Sequence, residues 1–138
     1  MRRVTDEGIT PERIDELLAF LPRFKEPGRE FILRWEGGNE LESGAIQIPF
    51  PVYPDDVREF FRLASQPWWC DYEYVPAEAG SMIQDAERIE RATLEEIKTM
   101  LTFCVRGERF SDGLWGHMLE TGRITAILER LAKLRENL

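Results

Sequence analysis

The chain has 138 residues, with 18 Lys and Arg against 26 Asp and Glu, a formal net charge of −8 and an isoelectric point near 4.8. That length suits one domain with a single hydrophobic core, and the acidic balance argues against nucleic acid, whose footprint is clustered excess cation. The amino terminus, Met1-Arg-Arg-Val-Thr-Asp6, runs straight into polar residues, and the longest apolar run, Leu17–Leu21, is too short for a membrane span or a secretory signal, so a cytoplasmic protein is expected.

Thr10-Pro11 reads as a helix start, Thr10 as cap and Pro11 in the first turn. Ile14, Leu17, Leu18 and Leu21 mark its apolar face, and Pro22 is expected to end it. Phe31–Trp35 is rich in β-favouring side chains, Gly37-Gly38-Asn39 reads as a turn, and Ile46-Gln47-Ile48 alternates, which together predict a small β-hairpin near residues 30–48. Pro49-Phe-Pro-Val-Tyr-Pro54 reads as an extended connector leading into a helix, with Pro54 in its first turn, Asp55 and Asp56 at its positive end, and Val57, Phe60, Phe61 and Ala64 as its buried stripe.

Pro67 closes that helix, and the stretch from Trp68 to Pro76 carries four aromatics, Trp68, Trp69, Tyr72 and Tyr74, without a regular period. Pro76 opens a brief helix through Met82 and Ile83, and a short turn holds Ile89. Thr93-Leu-Glu-Glu96 is a capping box. The helix behind it buries Leu94, Ile97, Leu101, Cys104 and Val105, presents Glu95, Thr99, Thr102 and Arg106 elsewhere, and stops at Gly107. Ser111 or Asp112 is placed to cap a short helix through Leu119. Gly122 stops that helix, and Arg123–Asn137 forms a last one with Ile124, Ile127, Leu128, Leu131 and Leu134 inward. The fold class is mainly α: one compact domain, residues 1–138, of about five helices around one core with the small hairpin.

Two constellations stand out. In the first, Arg106, Glu108, Arg109 and Asp112 place four charges within seven residues among glycines 107, 113 and 116 and ahead of Trp115. Guanidinium forks there suit a carboxylate or phosphate, but four opposite charges so close suit mutual pairing at a sharp turn better, as structural ion-pair networks often mimic functional ones. In the second, Trp68, Trp69, Tyr72 and Tyr74 surround Asp71 as aromatic walls surround a polar point, although large aromatics more often pack. Asp71 paired with Arg106 or Arg109 would make the two segments one site.

His117 is the single histidine, and neither Ser111 nor either cysteine lies in a nucleophile elbow beside it. Cys70 and Cys104 are far apart and form no CxxC pair, so they read as reduced thiols, and no metal-ligand spacing is present. The glycines follow a helix and spell no nucleotide-binding loop, so the nucleotide reading fails on context and the cofactor is unknown.

Cys70-Asp-Tyr-Glu-Tyr-Val-Pro76, followed by Glu96–Gly113 and Trp115, resembles an uncharacterised, mainly bacterial family of small proteins classed as a domain of unknown function. The likeness extends to Phe50-Pro-Val-Tyr53 and the closing helix. It implies a shared structural signature and supplies no catalytic residue and no cofactor. On the residues, the first functional reading is a binding or interaction module whose aromatic and arginine-lined surface takes a small anionic ligand or a protein partner. The rival is an enzyme on a small anionic substrate, with Arg106 and Arg109 as clamps and Asp71, Glu108 or Asp112 as acid or base. The last helix leaves a homodimer open.

Overall fold

The computed structural model describes residues 8–138, and Met1–Asp6 lies outside them. Helix α1, Pro11–Leu18, begins as the sequence indicates: the Thr10 hydroxyl accepts from the Arg13 amide at 3.3 Å, and Ile14 and Leu17 are buried. Pro22 does not end it. The helix closes at Leu18, and Pro22 sits in the first turn of α2, Leu21–Phe24, where its missing N–H would have had no helical partner anyway.

Strands β1, Arg34–Glu36, and β2, Phe50–Val52, pair antiparallel, with Arg34 opposite Val52, Trp35 opposite Pro51 and Glu36 opposite Phe50. The hairpin is therefore shifted about four residues toward the carboxyl end of the predicted span, and its second strand falls in the proline-rich segment read as a connector. Its reversal is also elsewhere. The Gly44 amide donates to the Leu41 carbonyl at 2.9 Å, and Gly44, at φ +87°, closes the loop Glu42–Gly44. Gly37-Gly38 instead sits inside the arms, between the pairs Glu36–Phe50 and Glu40–Ile46, where the Gly38 amide donates to the Gln47 carbonyl and Gln47 donates back to Asn39. Glycine is needed there because Gly37 has φ +90° and a Cβ on it would lie 2.7 Å from the Ile48 carbonyl oxygen.

Helix α3, Asp55–Ala64, buries all four residues of its expected stripe, with Pro54 as its N-cap rather than in its first turn. Pro67–Trp69 forms a 3-10 turn, and α4, Pro76–Ile83, and α5, Ala86–Glu90, follow, the latter capped by Asp85 and burying Ile89. Helix α6, Leu94–Gly107, carries the full capping box: Glu96 N–H to the Thr93 hydroxyl at 3.1 Å, and Thr93 N–H to the Glu96 carboxylate at 3.0 Å. Short α7, Leu114–Glu120, and α8, Arg123–Arg135, complete the chain. The helical segments exceed the five or so expected, because short turns such as α2 and α5 are regular helices.

Helix α8 is the hub, packing on α1, α2, α5, α6 and α7 through Ile124, Ile127, Leu128 and Leu131, all fully buried. Each such side chain contributes about 1.5–3 kcal/mol relative to exposure. Two α8 arginines also fasten loop ends: Arg123 donates to the Ile83 carbonyl at 3.1 Å and Arg130 to that of Ala92 at 2.9 Å. Among the described residues no helix is long and apolar enough to cross a membrane.

A run of ring contacts links the two ends of this core. Phe31 meets Phe24, Phe24 meets Phe60 at 5.1 Å, Phe60 meets Phe61 edge-on, and Phe61 stacks on Trp115 at 4.3 Å and 8°. Trp115 in turn lies against Tyr53, the residue that leaves the hairpin. The corner after α6 is thus tied to both α3 and β2.

Candidate functional site

The corner between α6 and α7 is organised by Glu108 rather than by the arginines. One carboxylate accepts the Tyr53 hydroxyl at 3.0 Å, the Gly113 amide at 3.0 Å and the Trp115 amide at 2.9 Å. These amides belong to the first turn of α7, whose N-cap, Gly113, brings no side chain, so Glu108 does the work of a cap from five residues upstream and places a negative charge at the helix's positive end. Neither Ser111 nor Asp112 serves as that cap, contrary to expectation. Both are exposed. Burial first, and then the Glu108 charge, hold the Tyr53 hydroxyl protonated far above the ordinary tyrosine range, so it remains a donor to the carboxylate.

Three glycines fit the corner to its neighbours. Gly107 ends α6 without a positive φ; its role is close packing, since a Cβ there would fall 2.2 Å from the Leu114 Cδ2. Gly113, at φ +92°, lies under the Trp35 ring, and Gly116 lies under Ile32. The Trp115 indole N–H donates to the Cys104 carbonyl at 2.9 Å, satisfying a group near the carboxyl end of α6.

The expected ion-pair corner is not formed: among the described residues Arg106, Glu108, Arg109 and Asp112 make no salt bridge with one another. Asp71 does not meet either arginine. Its carboxylate accepts the Thr99 hydroxyl at 2.7 Å and the Glu73 amide at 3.0 Å, while its own amide donates to the Thr102 hydroxyl at 2.9 Å. Thr102, read as facing outward, is therefore buried: its hydroxyl is satisfied by the Lys98 carbonyl at 2.8 Å and by Asp71.

The aromatic segment divides as well. Trp69 enters the core, Trp68 lies half-buried beneath the Arg13 guanidinium at 3.6 Å, and Trp115 packs on Phe61. Tyr74 lies against Arg106 at 5.4 Å, and Tyr72 is exposed.

What does converge is a cleft of about 200 Å³ between α3 and the end of α6, lined by Ser65, Cys70, Tyr72, Thr102, Arg106 and Arg109 among others. Two arginines from the first constellation and Tyr72 from the second thus meet there. Arg106 donates to the Cys70 sulfur at 3.6 Å. Among the described residues neither Arg106 nor Arg109 has a carboxylate partner, and the cleft lining holds no carboxylate. Sequence reasoning missed Cys70 and Thr102 as lining groups, and Tyr53 as the partner of Glu108. For Tyr53 a signal existed in the unusual Phe50-Pro-Val-Tyr53-Pro54 run, but not one that named its partner.

Both cysteines are free thiols, with Cys104 wholly buried and Cys70 half-buried. Among the described residues no three His, Cys, Asp or Glu side chains gather as a metal set would require. His117 is exposed on α7. No curated protein and no solved structure matches the chain. Residues 9–137 match a family of unknown function, DUF6508, and the chain belongs to that family.

Proposed function

We propose that the protein is a binding module that takes an anionic group, a carboxylate or phosphate, into the cleft between Cys70–Tyr72 and the end of α6. The observation that carries this reading is the pair Arg106 and Arg109 lining one cleft with no carboxylate partner among the described residues, in a chain whose net charge is −8. Acids outnumber bases in this chain, so guanidiniums without carboxylate partners form a local positive spot, and their planar donor forks match such oxygens. The volume, about 200 Å³, suits a single anionic head group with a short stem. Tyr72 and the Val105 side chain supply the apolar wall.

The enzyme alternative has weaker support. Asp71 and Glu108 commit their oxygens to hydrogen bonds of the fold, and the cleft lining itself has no carboxylate to act as acid or base.

Titration with inorganic phosphate and with succinate, followed by amide chemical shifts, tests the proposal. Shifts should centre on Cys70, Tyr72, Arg106 and Arg109, and Arg109→Ala should remove them while the thermal midpoint stays put, because Arg109 is exposed. Shifts centred elsewhere, or unchanged in Arg109→Ala and in Arg106→Ala, would overturn it.

A further inference from the structure

From Gly38 to Phe50 every residue is exposed, so the outer part of the hairpin stands away from the core. That part is not polar. Ile46 is 71% exposed and Ile48 76%, with Phe50, Leu41 and Trp35 also uncovered. Residues two apart on a strand share a face, which puts Ile46, Ile48 and Phe50 in one row. Residues directly opposite in an antiparallel pair share it too, so Glu40, opposite Ile46, and Glu36, opposite Phe50, flank that row.

The charge pattern is one-sided. Between Trp35 and Pro54 the chain has three glutamates, Glu36, Glu40 and Glu42, and no lysine or arginine. Arg34, the nearest cation in sequence, is engaged with Glu36 at 2.7 Å. A two-stranded hairpin is marginal alone, and an apolar row on it is a surface that a partner covers.

We propose that this hairpin face docks a segment of a different protein whose apolar side chains are bordered by lysine or arginine. Charge complementarity selects that occupant. A second copy placed by two-fold symmetry would bring the same glutamate-rimmed patch against itself, with like charges facing. An anionic lipid surface meets the same repulsion. A basic partner satisfies both features, its apolar groups covering Ile46, Ile48 and Phe50 and its cations meeting Glu40, while Glu36 already holds Arg34. This inference stands on the hairpin alone and does not depend on the cleft.

The full-length chain is titrated with a synthetic peptide alternating leucine and lysine, its leucine and glutamate counterpart, and an oligolysine of equal charge, with affinity read by calorimetry. The leucine–lysine peptide should bind, and the other two should bind at least about ten-fold more weakly. The double substitution Ile46→Ser with Ile48→Ser should weaken binding about ten-fold or more without moving the thermal midpoint, since both positions are largely exposed. Glu40→Lys should weaken it and reduce its salt dependence.

Three results overturn the proposal. One is leucine–lysine binding that is absent or indifferent to both hairpin variants. Another is a concentration-dependent dimer in sedimentation that the Ile46→Ser, Ile48→Ser chain loses, which assigns the face to a second copy. The third is hairpin-dependent binding to phosphatidylglycerol vesicles that exceeds binding of the peptide.

Discussion

The Tyr53 hydroxyl donates to the Glu108 carboxylate at 3.0 Å across 55 residues of sequence, joining the exit of the hairpin to the corner between α6 and α7. The same carboxylate receives the Gly113 and Trp115 amides, so one side chain positions a strand end and a helix start together. Glu108→Ala should therefore destabilise the fold by about 2–4 kcal/mol, the cost of leaving several part-buried donors without a partner. Tyr53→Phe should cost about 1 kcal/mol, since the two amides still find the carboxylate. Urea unfolding of both singles and the double mutant measures the coupling. Additive losses would mean that the two groups merely lie close.

Gly113 and Gly122 both adopt positive φ, +92° and +78°, but only Gly113 has a neighbour where a Cβ would go, the Trp35 ring at 3.0 Å. Gly122→Ala should cost about 1–2 kcal/mol from backbone strain alone. Gly113→Ala should cost more, by about 1 kcal/mol for the added crowding. In a Trp35→Ala background the excess should vanish. Equal costs in the wild-type background would show that Trp35 yields freely.

Features set by local chemistry were legible from sequence. The Thr93–Glu96 capping box and the Val57, Phe60, Phe61, Ala64 stripe depend on residues within one or two turns, and both form as read. Features that depend on tertiary meeting were not. Gly37-Gly38 looks like a turn because paired glycines usually make one, yet here they lie inside the hairpin arms against the Ile48 carbonyl, and the reversal falls to Glu42–Gly44. Glu108 and Asp71 pair with groups the sequence does not point to, because a carboxylate near arginines in sequence can spend its oxygens on amides and hydroxyls that only the fold brings near. The adjacent Trp68 and Trp69 part company for a similar reason: one fills the core and the other lies beneath Arg13. The cleft was half legible, through Arg106, Arg109 and Tyr72.

Arg29 and Asp56 form a two-pronged pair, with Arg29 Nη1 to Asp56 Oδ2 at 2.7 Å, that holds the chain ahead of the hairpin to the first turn of α3. The Arg29 hydrogen bonds hold the Asp56 carboxyl below its ordinary value of 3.8. A folded pKa below the unfolded one adds stability that is present above the unfolded value and is lost as pH falls through the folded one. Stability should therefore decline as the solution is acidified below about pH 4. Glu96, held down mainly by the Thr93 amide, adds to the same slope. Asp56→Asn should be less stable than wild type at pH 7 by about 1–3 kcal/mol, and the gap should narrow as acid protonates the carboxylate. A gap constant from pH 7 to pH 2 would show that the loss comes from packing rather than from the ion pair.

The two thiols should separate by reactivity. Cys104 is fully buried, and burial pushes its thiol up to about 12, so neither access nor thiolate is available in the folded chain. Cys70 is half-buried at the cleft, with its sulfur 3.6 Å from the Arg106 guanidinium. With an aromatic disulfide reagent at pH 8, Cys70 should react promptly, and Cys104 only at the rate at which the chain unfolds. The same assay reports on the cleft. An anion held by Arg106 and Arg109 sits beside the sulfur, so phosphate should slow Cys70 while leaving Cys104 unchanged, and Arg109→Ala should abolish that protection. Equal slowing of both thiols would trace the effect to global stabilisation by salt instead of occupancy of the cleft.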